Sequence, residues 1–194
     1  MTTKPNPSAT VSKKKLSVYQ MAVAALMTGL MCILGPLSIP IGAVPISFTN
    51  FAVYITVYLL GTKLGSVSYC VYLLIGMAGL PVFSAYSGGI AKLAGPTGGY
   101  LIGFILMSVI SGLFIDKCHG KPVFSILGMV LGTFIAYLFG TVWFIAEAKC
   151  TLWYALTVCV FPFLIGDAVK ILIAAKIGPA IRSALNKANL LENL

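Results

Sequence analysis

The chain is poor in charge, poorer in acids, and almost without metal-ligating side chains. Of 194 residues only 9% are charged, four are Asp or Glu, and His119 is the single histidine. A soluble domain carries about 25% charged residues. With 59% hydrophobic residues and a mean hydropathy of +1.02, a soluble domain of this size leaves too much apolar surface in water. An ordinary globular enzyme, a nucleic-acid-binding domain and a disordered chain are thereby excluded, and an integral membrane protein remains. The five cysteines (Cys32, Cys70, Cys118, Cys150 and Cys159) stand singly, with no Cys-x-x-Cys pair. That pattern excludes a structural zinc or iron-sulfur site and reads as small apolar side chains. The G-x-x-x-x-G-K-[ST], G-x-S-x-G and H-E-x-x-H patterns are also missing, so neither a nucleotide-binding loop nor a hydrolytic centre is expected.

What is present is a series of apolar runs. Residues 1–16, with Pro, Ser and Thr and then Lys13-Lys14-Lys15, read as a disordered basic cytoplasmic tail. The lysines resemble a signal-peptide n-region, but the run from Val18 to Leu37 is too long for one, and no small-residue cleavage site follows it. Crossing about 30 Å of hydrocarbon takes about 20 apolar residues. Six spans are predicted at 17–37, 46–60, 63–80, 98–115, 122–146 and 162–185, forming one domain over 17–188, with 189–194 a short C-terminal tail. Breakers separate the spans: Pro36, Pro40 and Pro45, then Gly61, then a Gly/Pro/Ser stretch from Gly79 to Gly99, then Lys117 to Pro122 and Glu147 to Thr151.

Basic residues set the orientation. With the N-terminus inside, Lys4, Lys13, Lys14, Lys15, Lys63, Lys117, Lys121, Lys176, Arg182 and Lys187 are cytoplasmic, against Lys92 and Lys149 outside. Ten against two favours an even number of spans with both termini inside. Leu152 to Val160 reads as a short helix or re-entrant piece at the outer face, since Trp153 and Tyr154 suit the interface and Pro162 suits a helix start.

Asp167 and Lys170 fall within the last span, three residues apart and so on one helix face. Each costs about 2.5–3.5 kcal/mol on insertion and is expected to face a cavity or a partner. Two readings stand: an ion pair that fixes helix packing, or a polar ligand site. The stretch Gly79-Leu80-Pro81-Val82-Phe83-Ser84-Ala85-Tyr86-Ser87-Gly88-Gly89, followed by Gly95-Pro96-Thr97-Gly98-Gly99-Tyr100, is a connector or a ligand loop. Thr49 and Asn50 add polar groups that suit interhelical hydrogen bonds. Ala22, Ala25 and Gly29 form a stripe of small residues on the first helix, suited to close packing inside the bundle or against a partner.

Taken together, Pro45-Ile46-Ser47-Phe48-Thr49-Asn50-Phe51, the Gly-Leu-Pro-Val-Phe and Gly-Pro-Thr-Gly-Gly-Tyr segments, and Pro-Phe-Leu-Ile-Gly-Asp-Ala-Val-Lys over 162–170 resemble the biotin-specific substrate-binding components of energy-coupling-factor transporters, the BioY family. The resemblance covers about residues 17–185. It implies an all-α bundle of six transmembrane helices in a bacterial plasma membrane, which captures biotin outside. It further implies delivery of biotin through a transmembrane coupling subunit driven by two cytosolic ATPases. Biotin is then a transported substrate; no cofactor, metal or nucleic acid is implied, and the chain is not an enzyme. Asp167 and Lys170 are implied to line the pocket with Thr49, Asn50 and the Gly-rich segments, including Ser87, Gly88, Gly89, Gly98, Gly99 and Tyr100. Phe48, Phe83 and Tyr86 are expected to pack the thioether ring and chain of biotin, and Ala22, Ala25 and Gly29 to dock the coupling subunit. Two departures are visible: the family usually has Gln where Thr49 stands, and some members have a basic residue where Ser87 stands. A binding subunit of the same fold for another vitamin is the alternative, with an intramembrane enzyme or a structural membrane protein further behind.

Overall fold

The computed structural model describes residues 17–40, 44–118 and 121–187. The two predicted tails, 1–16 and 189–194, lie outside the described residues. The first helix, α1 (Val18–Leu34), starts where Ser17 and Gln20 form a reciprocal cap: Tyr19 N–H donates to Ser17 Oγ, and Ser17 N–H donates to the Gln20 side chain at 3.1 Å. Its inner face is pinned by Thr28, which donates to the carbonyl of Ser68 at 3.2 Å, and by Ser68, which donates to the carbonyl of Ala24.

Between α1 and the next helix the chain forms a two-residue antiparallel ladder, β1 (Ser38–Ile39) with β2 (Ile46–Ser47), pairing Ser38 with Ser47. The predicted span at 46–60 therefore begins as strand, and its helix starts only at Thr49. This ladder is an addition to the all-helical expectation; it stands at the end of the bundle where the loops gather.

Helix α2 (Thr49–Met77) is interrupted at Gly61, whose φ of 71° and ψ of −177° lie outside anything helical. A Cβ added at Gly65 meets the Cα of Val57 at 3.1 Å. In a straight helix those residues are about 12 Å apart, at 1.5 Å per residue. The chain therefore folds back at Gly61, and the two halves of α2 pack side by side. Glycine is required there, because an L side chain resists that backbone conformation. Asp116 closes the reversal, accepting from the Thr62 N–H at 2.8 Å and the Thr62 hydroxyl at 2.6 Å.

The Gly/Pro/Ser stretch is a built structure rather than a loose connector. It holds a short 3₁₀ turn (Ser84–Tyr86) and the one-turn helix α3 (Ile90–Ala94). Phe83 is fully buried beneath it, edge-on to Tyr72 with ring centres 5.6 Å apart, over a glycine (Gly76) that has no room for a Cβ. Tyr72 also donates to the carbonyl of Val82 at 2.9 Å, and Gly89 N–H to the carbonyl of Gly76 at 2.7 Å.

Then come α4 (Gly98–Lys117), α5 (Pro122–Ala148), α6 (Leu152–Cys159) and α7 (Phe161–Lys187). Pro122 opens α5 at a position where a missing N–H costs nothing. The expected short piece over 152–160 is α6, and the break before the last helix falls at Val160, with φ −124° and ψ −58°. Among the described residues, Gly98–Lys117, Pro122–Ala148 and the apolar stretch Leu152–Lys187 are long and apolar enough to cross a bilayer, and α1 and the two halves of α2 are shorter apolar helices. Much of the apolar surface faces outward, as in Phe134, Ile165 and Leu172. That is the arrangement for a solvent of lipid. The protein is an all-α integral membrane protein.

Candidate functional site

One end of the bundle holds an open cleft, walled by the β ladder, the start of α2, the Gly-rich segment, the start of α4, α5 and the first turns of α7. Most of its wall is apolar, including Val44, Leu101, Phe104 and Phe163, and Asn50, Tyr137, Asp167 and Lys170 converge on one spot.

At that spot Asp167 and Lys170 are 5% and 8% exposed. Their spacing on α7 brings Lys170 Nζ to 3.0 Å from Asp167 Oδ1. Lys170 Nζ also donates to the carbonyl of Ser47 at 2.7 Å and to Asn50 Oδ1 at 3.1 Å. An ammonium has three donors, and all three are taken. Its cation further lies 5.7 Å from the centre of the Phe48 ring. Asn50, buried at the start of α2, donates from Nδ2 to Asp167 Oδ1 at 2.8 Å and accepts from Phe51 N–H at 3.0 Å. Tyr137 of α5 donates its hydroxyl to Asp167 Oδ2 at 2.5 Å.

Three helices thus hold one carboxylate, and the bookkeeping of donors shows what remains for a ligand. One N–H of Asn50, further lone pairs on Asp167 Oδ2, and the acceptor side of the Tyr137 oxygen have no assigned partner in this network. The site is set up to take a group that presents N–H donors beside a carbonyl acceptor. Lys170 supplies the counter-charge to the carboxylate in an apolar surround, and it donates to Asn50 Oδ1.

The structure brings Thr49, Asn50, Tyr100, Asp167 and Lys170 together in the cleft wall. Phe48 reaches the cluster only through Lys170 and is 41% exposed. Phe83 is packed under the loop, and Tyr86 points away from the fold at 67% exposure. Ser87 donates to the carbonyl of Ser84 at 2.7 Å, and Gly88 passes so close to Leu80 that a Cβ does not fit. Gly89 starts the turn into α3 with φ 88°. Gly98 and Gly99 let α4 press on Leu93 and on Trp143 and Phe139; none of Phe83 and Tyr86 to Gly89, nor Gly98 or Gly99, lines the cleft. Tyr100 does line it, with its hydroxyl donated to the carbonyl of Cys159 at 3.0 Å. On α1, Ala22 and Ala25 are exposed, and nothing lies within 4 Å of a Cβ added at Gly29. The small-residue stripe faces outward.

Sequence reasoning missed Tyr137 and Ser47 and did not single out Thr97 and Ser84 within the Gly-rich segments; all four line the cleft. Tyr137 left a faint signal as a polar aromatic inside an apolar run, and Thr97 stands within the Gly-Pro-Thr-Gly-Gly-Tyr segment. Ser47 acts through its backbone carbonyl, which no side-chain pattern reveals.

Residues 8–187 match the model of the BioY family. The chain is 37% identical over 161 residues to the "Biotin transporter BioY" of Thermotoga maritima, covering 81% of this chain and 92% of that protein. It is 34% identical over 158 residues to the "Probable biotin transporter BioY" of Pyrococcus horikoshii, covering 80% and 91%. Among solved structures it superposes, with a TM-score of 0.80 and 29% identity over 86% of this chain and 92% of the other, on the S-component for biotin from an ECF-type ABC transporter. The chain belongs to the BioY family.

Proposed function

We propose that this chain is the biotin-binding S component of an energy-coupling-factor transporter, and that biotin occupies the cleft with its ureido ring on the Asn50–Asp167–Tyr137 cluster. The observation that carries this reading is the unused bonding capacity at that cluster. A ureido group has two N–H donors flanking one carbonyl. An N–H donates to Asp167 Oδ2, and the carbonyl accepts from the free N–H of Asn50, while Lys170 stays with its three present acceptors. The thioether ring and the chain lie against the apolar wall of the cleft.

Both termini are cytoplasmic in this reading and the cleft opens outward. Lys63, Lys117 and Lys121 support that orientation: they stand around the Gly61 reversal and the end of α4, at the far end of the bundle from the cleft. Delivery then takes a transmembrane coupling subunit and two cytosolic ATPases, with α1 docking through the outward stripe of Ala22, Ala25 and Gly29. Ala25→Trp or Gly29→Trp is expected to leave biotin binding intact and to abolish co-purification with the coupling module.

The deciding measurement is binding of labelled biotin to the detergent-purified chain, with thiamin and riboflavin as competitors. Saturable binding that excess biotin displaces and the other two vitamins do not supports the reading. Displacement by either of them moves the assignment to another vitamin.

A further inference from the structure

We propose that Thr97, at the N-terminus of α4, is a carboxylate subsite of the cleft, an inference that rests on the cleft being the biotin site. Thr97 lines the same cleft as Asp167 and is 8% exposed. Its hydroxyl oxygen is buried and has no hydrogen-bond partner among the described residues. A threonine before a helix ordinarily caps it by accepting from an N–H of the first turn. Here no such bond forms, with Thr97 at φ −93° and ψ −4°. A buried hydroxyl left without a partner is costly and uncommon, and it is satisfied when a ligand supplies the acceptor.

Two further features fix the class of that acceptor. The 20-residue helix α4 begins immediately after Thr97, and the start of a helix attracts negative charge. Around it Gly98 N–H donates to the carbonyl of Gly95, and Tyr100 and Leu101 N–H to that of Thr97, while the Gly99 N–H is not among these bonds. Among the described residues, Lys170 is the one cationic side chain in the cleft wall, and its three donors are already used. A carboxylate on the ligand is repelled from the Asp167 end and finds its donor at Thr97 instead. The cleft wall thus reads two parts of one molecule: Asp167 takes N–H donors, and Thr97 takes an anionic acceptor.

The test compares biotin with biotinamide, in which a neutral amide replaces the carboxylate, on the purified full chain and its Thr97→Val, Thr97→Ala and Thr97→Ser variants. The parent is expected to prefer biotin. Thr97→Val and Thr97→Ala should weaken biotin about tenfold, the size of one hydrogen bond to a charged group, while biotinamide changes little and so reports an intact fold. Thr97→Ser should keep the parent's preference. Val and Ala variants that retain the parent's ratio of biotin to biotinamide affinity, whether both affinities hold or both fall together, overturn the subsite. A parent chain that binds no biotin overturns the functional reading itself, and the subsite falls with it.

Discussion

Asp167 and Asp116 stand at opposite ends of the same bundle, and each is held by hydrogen bonds, yet they do different work. Asp116 is exposed and accepts twice from one residue, Thr62, across the reversal at Gly61. Its partners are a backbone N–H and an adjacent hydroxyl, so its bonds are local and close a turn. Asp167 is buried and accepts from Asn50, Lys170 and Tyr137, side chains of three helices converging on a cleft. The carboxylate that seals the turn faces solvent and lines no cleft, whereas the one held from three helices stands in a cleft wall. On the proposed reading, the contrast separates a structural acid from a ligand-binding one without reference to sequence position.

The comparison is broken most directly at Asp167. Asp167→Asn leaves the buried Lys170 ammonium without its counter-charge, which is expected to destabilise the unliganded chain by about 3–5 kcal/mol. Biotin binding should weaken by ~1.5–3 kcal/mol as well. The double variant Asp167→Asn/Lys170→Met removes both charges, so thermal unfolding in detergent should recover most of the stability while binding stays lost. A double variant that binds biotin as the parent does makes the pair structural and erases the contrast.

At the other end the expected pattern is reversed. Gly61→Ala forces a side chain into a glycine-only conformation, with Asp116 oxygens 3.2 Å from the new Cβ. A loss of about 1–3 kcal/mol in stability should follow, with biotin affinity unchanged. Asp116→Ala removes the acceptor at the reversal and should cost ~1–2 kcal/mol of stability, again without effect on affinity. The two changes share one turn, so their unfolding free energies should fail to add in a double-mutant cycle. Weakened biotin binding in either variant shows that the reversal and the cleft are coupled.

The smallest effect sharpens the comparison. Tyr137→Phe keeps the ring and deletes one donor to Asp167, so biotin affinity should fall by ~1 kcal/mol, roughly fivefold. Equilibrium binding on the purified variant measures it. An unchanged affinity removes Tyr137 from the ligand cluster and leaves Asn50 and Lys170 as the groups that position Asp167.

The long apolar helices were readable because hydrocarbon demands unbroken runs of known length, and Pro162 marked the start of the last helix to within a residue. Asp167 and Lys170 were readable for the converse reason, since charge in such a run is costly and three residues on a helix face one way. Phe83 was not: nothing local distinguishes an aromatic that faces a ligand from one that anchors a loop, and only the Gly76 gap and Tyr72 settle which it is. Nor was Tyr137, which lies 30 residues from Asp167. Asn50, 117 residues from Asp167, was reached through the family resemblance rather than through any local pattern.

The sequence by itself determined that this is a membrane protein of apolar helices carrying one costly charged pair, because burial in lipid constrains every residue along the chain. The sequence also marked Gly61 as the break between two spans; the tertiary structure alone decided which helices meet at that pair and which donors stay free. Hydrogen bonds between side chains on separate helices depend on distance in space, and no local pattern encodes that.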